Sequence, residues 1–187
     1  MLRKSIYWVL SGLFLLTSCM SNGDTSTNSF QPPYFDLAGF IKQSTLDTSM
    51  TRVNKTIEID GQEESKVLED YALWKDIRSF DAYDINRPAL SDKYTADTIH
   101  SSTMTTTTYQ PVDTAADLNV LLLRITKSQD TVSSIQIKTS TKSFLEHIVL
   151  DIDWRPEIGY SIHRSSKRIF SSQIHHQNIE VSRMDSH

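Results

Sequence analysis

The chain has 187 residues, with 19 Lys and Arg against 23 Asp and Glu for a formal charge of −4, and one cysteine. Such a balance excludes nucleic acid as a partner, because phosphate affinity rests on clustered Lys and Arg that release counterions. One cysteine excludes an intramolecular disulfide, and the length suits a single domain able to bury its own core.

Arg3 and Lys4 open the chain, and the apolar run from Ile6 to Leu16 follows. As a helix this run covers only about 16 Å, half of a bilayer core, so it is too short to stay as a membrane span. Leu16-Thr17-Ser18-Cys19 comes next and resembles the bacterial lipobox, in which the cysteine sulfur receives a diacylglycerol and the chain is cut just before it. The resemblance implies that residues 1–18 are a lipoprotein signal peptide and that Cys19 is the acylated mature N-terminus. Acylation also consumes the one thiol, which would be a redox liability in an exported protein. A plain secretory signal with an incidental cysteine is the alternative. Cleavage removes Arg3 and Lys4 but no acid, moving the formal charge from −4 to −6. Residues 19–33 lack periodicity and are rich in Ser, Thr, Asn, Gly and Pro, so they read as a flexible tether.

One domain is expected over residues 34–181, with 182–187 as a disordered tail. Tyr34, Leu37, Ala38 and Ile41 at helical spacing predict a first helix over 34–46. Val53, Ile57 and Ile59 alternate with polar neighbours and predict a strand over 50–60, which Asp60-Gly61 closes as a hairpin turn. Leu68, Tyr71, Trp74, Ile77 and Phe80 recur at steps of three and predict a second helix over 67–81. Its aromatics are ordinary core material, and the alternative is a ligand-binding box formed by Tyr71, Trp74 and Phe80. Beyond Leu90 the pattern alternates with period two, predicting strands over 93–100, 103–110, 118–127, 131–139, 144–153, 159–164 and 169–177. Leu118 to Ile125 is apolar on both faces and is expected to be covered on both. The expected fold class is α+β: two N-terminal helices packed on a curved antiparallel β-sheet or partial barrel.

Phe35-Asp36-Leu37 with Phe40, then Val53, Lys55, Thr56, Gly61, Glu64, Trp74 and Phe80, and the block Asp84-Ile85-Asn86-Arg87-Pro88-Ala89-Leu90 with Tyr94, resemble a family of uncharacterised outer-membrane lipoproteins from Bacteroidota. The resemblance implies an outer-membrane location through the lipid anchor and no particular activity. Residues 20–24 hold one acid, Asp24, and leave the periplasmic and external faces both open.

Enzymatic templates fail. No G-x-S-x-G elbow or Gly-rich phosphate loop occurs, and no cysteine nucleophile is left once Cys19 is acylated. Neither a catalytic residue nor a cofactor is expected. His147, Asp151 and His163 are the weak candidates for a metal site, on the expectation that the strands carrying them pair and share one polar face; a solvated outer face is the plainer reading. Two functions are carried forward. The first is a non-enzymatic, lipid-anchored binding or structural module of the cell envelope, with a protein or glycan partner. The second is a carrier holding a lipid or other apolar ligand between helices and sheet, similar in outline to periplasmic lipoprotein carriers and lipocalins.

Overall fold

The computed structural model of the chain describes residues 33–114 and 116–184. The expected signal segment, Cys19 and nearly all of the expected tether lie outside these residues. Nine strands form one antiparallel sheet: β1 (Thr51–Ile59), β2 (Gln62–Tyr71), β3 (Tyr94–His100), β4 (Met104–Pro111), β5 (Val120–Ser128), β6 (Thr131–Lys142), β7 (Glu146–Arg155), β8 (Gly159–Arg168) and β9 (Ile174–Arg183). Their order is β2-β1-β9-β8-β7-β6-β5-β4-β3, so the last strand returns to pair with the first, and β2 and β3 are the two edges of an open sheet. Among the described residues helical structure is limited to α1 (Leu37–Ser44), α2 (Leu73–Arg78), and 3-10 turns at Ser79–Tyr83 and Pro88–Leu90. None of these helices is long and apolar enough to cross a membrane.

The α+β expectation, two N-terminal helices packed on a curved sheet or partial barrel, is overturned. The second predicted helix begins inside strand β2, which runs to Tyr71, and only Leu73–Arg78 of it is α-helical; the sheet is open rather than closed, and α1 and α2 have only 8 and 6 residues. The cause lies in the Asp60-Gly61 turn. Both residues have positive φ, 49° and 86°, the combination that a tight hairpin with right-handed twist demands. That turn sends the chain straight back as β2, with Ile59 opposite Gln62 and Val53 opposite Leu68. Leu68 therefore reaches the core by strand alternation, and only the pattern from Leu73 onward is helical. Two further differences follow the ladders. β9 runs to Arg183, so the first residues of the expected tail are paired with β1. Leu122 of β5 points away from the core and lines an open groove, so this strand is not covered on both faces.

Register separates the two sheet faces. On the core face Ile57, Ile179, Ile162, Ile152, Ile137 and Leu123 stand opposite one another across six strands. Leu37 and Ile41 of α1, Leu73 and Ile77 of α2, and Phe80 and Ile85 beyond it join the same buried set. Each such side chain contributes roughly 1.5–3 kcal/mol when fully buried. Asp36 caps α1 by accepting from Gly39 N–H at 2.8 Å, satisfying one of the helix's open donors. Asn86 pins the start of the domain: its Oδ1 accepts from Tyr34 N–H at 3.1 Å, and its Nδ2 donates to the Phe35 carbonyl at 2.7 Å.

Candidate functional site

Among the described residues the opposite face carries no helical layer, and its side chains form hydrogen-bonded rows running across the strands. In the first row Thr108, Arg124, Gln136 and Asp153 are register partners on β4, β5, β6 and β7. Arg124 donates through Nε to Thr108 Oγ1 at 3.2 Å and through Nη1 to Gln136 Oε1 at 3.1 Å. Gln136 Nε2 then donates to Asp153 Oδ2 at 2.9 Å, and Arg155 Nε sits 3.3 Å from Asp153 Oδ1. In the next row Lys138, Asp151, His163, Asn178 and Glu58 are partners on β6, β7, β8, β9 and β1. Lys138 Nζ lies 3.4 Å from Asp151 Oδ1, His163 Nδ1 meets Asn178 Oδ1, and Asn178 Nδ2 donates to Glu58 Oε2 at 2.7 Å.

Between these rows runs an open groove of about 350 Å³, with Leu122, Arg124, Gln136, Asp151, Asp153 and His163 among its walls. Alternation along each strand holds the side chains upright, and the bonds along each row fix their rotamers, so a ligand meets polar groups that are already ordered. Capacity remains in the row: among the described residues Arg124 uses two of its roughly five N–H donors, and Asp153 accepts one partner at each oxygen. A planar donor, an amide and a carboxylate in line above an aliphatic floor suit a ligand with several hydroxyls and C–H faces. Asp151 and Asp153 are each held by a cation, and Asp153 by an amide as well.

His147, Asp151 and His163 do share this face, with Asp151 directly opposite His163. His147, however, lies four residues along β7 from Asp151, roughly 13 Å at strand rise, and its Nε2 pairs with Ser140 Oγ at 2.9 Å. Among the described residues no group of three or more His, Cys, Asp or Glu side chains is placed to hold a metal ion.

Tyr71, Trp74 and Phe80 take separate roles. Phe80 is buried, edge-on to Trp154 and Tyr160 with ring centroids 6.1 and 5.6 Å away. Trp74 is half-buried with Lys75 Nζ and Arg78 Cζ at 5.4 and 5.0 Å from its ring, and its Nε1 is buried without a partner among the described residues. Tyr71 belongs to a polar cluster that no spacing in the sequence announces. Its hydroxyl donates to Asp76 Oδ2 at 2.6 Å and accepts from Lys55 Nζ at 2.8 Å, while Tyr160 donates to the same Asp76 oxygen at 2.7 Å. Burial, and then the neighbouring Asp76 carboxylate, push the Tyr160 hydroxyl far above the usual phenol range. The cluster ties α2 to β1, β2 and β8.

Comparison with known protein families, with curated proteins and with solved structures finds no match to this chain.

Proposed function

We propose that the protein is a lipid-anchored lipoprotein of the outer membrane, held through Cys19 and the segment 19–33, and that its domain is a non-enzymatic module binding a hydroxyl-rich ligand, a glycan, in the outer-face groove. The observation that carries this reading is the hydrogen-bonded row Thr108–Arg124–Gln136–Asp153, of which Arg124, Gln136 and Asp153 line one side of an open groove as pre-ordered polar side chains. The lipobox-like segment supports the anchor. A carrier needs room for an apolar ligand between helices and sheet, whereas Leu37, Ile41, Phe80 and Ile85 fill that space as fully buried side chains. This favours the binding module.

The test is native mass spectrometry of the full protein extracted in detergent from its own envelope, with a parallel digest of its N-terminus. The expected result is a bound saccharide that is lost in Arg124→Ala, and an N-terminal peptide beginning at Cys19 with acyl mass attached. An unmodified Cys19 would defeat the anchor, and a bound lipid retained in Arg124→Ala would replace the glycan module with the carrier.

A further inference from the structure

The β6–β7 and β8–β9 turns lie side by side at one end of the sheet, where the Ile169 N–H donates to the Leu145 carbonyl at 3.0 Å. Each turn places two large apolar side chains in solvent. Phe144 and Leu145 are 81% and 63% exposed, Ile169 and Phe170 are 56% and 86% exposed, and Ile174 beside them is 51% exposed. Folding does not require them there. Ser143 orders the first turn, its Oγ accepting from Leu145 and Glu146 N–H at 3.2 and 3.0 Å, and Ser171 Oγ accepts from Gln173 N–H at 3.1 Å in the second. Polar residues ordinarily occupy such apices, so an adjoining set of exposed Phe, Leu and Ile marks an interaction surface.

Charge behind the apices decides what kind. In a chain of net −4, segments 142–147 and 164–176 hold Lys142, Arg164, Lys167 and Arg168 against one acid of their own, Glu146, and the neighbouring Asp60 of the β1–β2 turn, which bonds His175 and His176. Glu146 is matched by Arg164 at 3.7 Å, which leaves Lys142, Lys167 and Arg168 exposed and outside any ion pair among the described residues. An apolar point with a collar of cations complements a bilayer interface, where acyl chains lie beneath anionic headgroups. It complements a protein poorly, because a stable interface engages about 20–30 residues on each side and this tip offers only its two narrow turns.

We propose that this double-hairpin tip inserts into the headgroup–acyl boundary of an anionic bilayer, giving the domain a reversible membrane contact separate from the anchor at Cys19. A tether at Cys19 would keep the tip within reach of lipid, but the contact does not depend on it.

The test uses the full chain with Cys19→Ser and an environment-sensitive dye at Phe170→Cys, or at Glu157→Cys in the β7–β8 turn at the opposite end of the sheet. Both proteins share the same N-terminus, so binding through residues 1–18 affects them alike. With phosphatidylcholine vesicles containing phosphatidylglycerol, the dye at position 170 should shift to the blue and be quenched by brominated acyl chains. The dye at 157 should do neither, and omitting phosphatidylglycerol should abolish the signal. Adding Phe144→Asp should weaken the response about tenfold or more. No quenching at 170, equal quenching at 157, or a lipid-free dimer that dissociates in Phe144→Asp would overturn the proposal, the last by assigning the tip to a second copy of the chain.

Discussion

Replacing Asp76 by alanine tests how the short helix α2 is fastened to the sheet. The Asp76 Oδ2 atom accepts two phenolic hydroxyls, from Tyr71 at 2.6 Å and Tyr160 at 2.7 Å. Tyr160 is only 6% exposed, so without the carboxylate its O–H is stranded, at a cost of about 1–3 kcal/mol. Tyr71 is half-buried and keeps Lys55 at 2.8 Å, and its O–H can turn to water for well under about 1 kcal/mol. Alanine returns a few tenths through helix propensity. The net expectation is a loss of about 1–3 kcal/mol in Asp76→Ala, and about 1 kcal/mol in Asp76→Asn, which keeps an acceptor oxygen but loses its charge. Urea unfolding at neutral pH measures both, and a loss of this size moves the midpoint by about 1 M. The sharper readout is a double-mutant cycle: in a Tyr160→Phe background no hydroxyl is left to strand, so the cost of Asp76→Ala should fall by about 1–2 kcal/mol. A cost under about 0.5 kcal/mol in the parent, or the same cost in both backgrounds, would refute this account of the cluster.

Two glycines should separate by context. At Gly159 φ is +144° and an added Cβ would fall on the Val181 carbonyl oxygen, so Gly159→Ala should cost about 3 kcal/mol or more; at Gly61 φ is +86° in open space, so Gly61→Ala should cost about 1 kcal/mol. Equal costs in urea unfolding would show that the close approach of β8 to β9 is misplaced. Burial, and then the neighbouring Tyr34, push the Tyr94 hydroxyl up to about 12. Its folded pKa thus lies above the unfolded value near 10, so its contribution is intact below about pH 10 and is lost as pH rises toward about 12, on the order of 2–3 kcal/mol in all. Unfolding measured at pH 9 and 11 should show about half of this loss, Tyr94→Phe should reduce it, and a pH response unchanged in Tyr94→Phe would refute the assignment.

The sheet was legible where period-two alternation was strict. Ile148, Leu150 and Ile152 face one way and His147, Asp151 and Asp153 the other, as the sequence predicts, because alternation needs no knowledge of neighbours. The second helix failed because Leu68, Tyr71, Trp74, Ile77 and Phe80 satisfy a three-residue step by coincidence across a strand and a shorter helix. Asp60-Gly61 held the correcting information, since a two-residue turn dictates an antiparallel return. The first outer-face row was not legible at all. Thr108, Arg124, Gln136 and Asp153 come from four strands, and their alignment depends on register and on a bulge between Thr126 and Lys127. A slip of one residue would send any of them to the other face.

The exposed tip escapes the sequence for a related reason: the strand expected over 144–153 takes in Phe144, but β7 begins only at Glu146 and the phenylalanine stands in the turn. That displacement changes its meaning from packing to contact. It also relates the two proposed surfaces geometrically. Asp151, on the groove wall, is six residues along the strand from Leu145 at the tip, roughly 20 Å at strand rise. With the tip seated in a bilayer interface, a ligand in the groove is held within about that distance of the headgroups. Because strands are stiff and β6, β7, β8 and β9 are continuously paired, this limit is set by the sheet itself and not by the length of any tether.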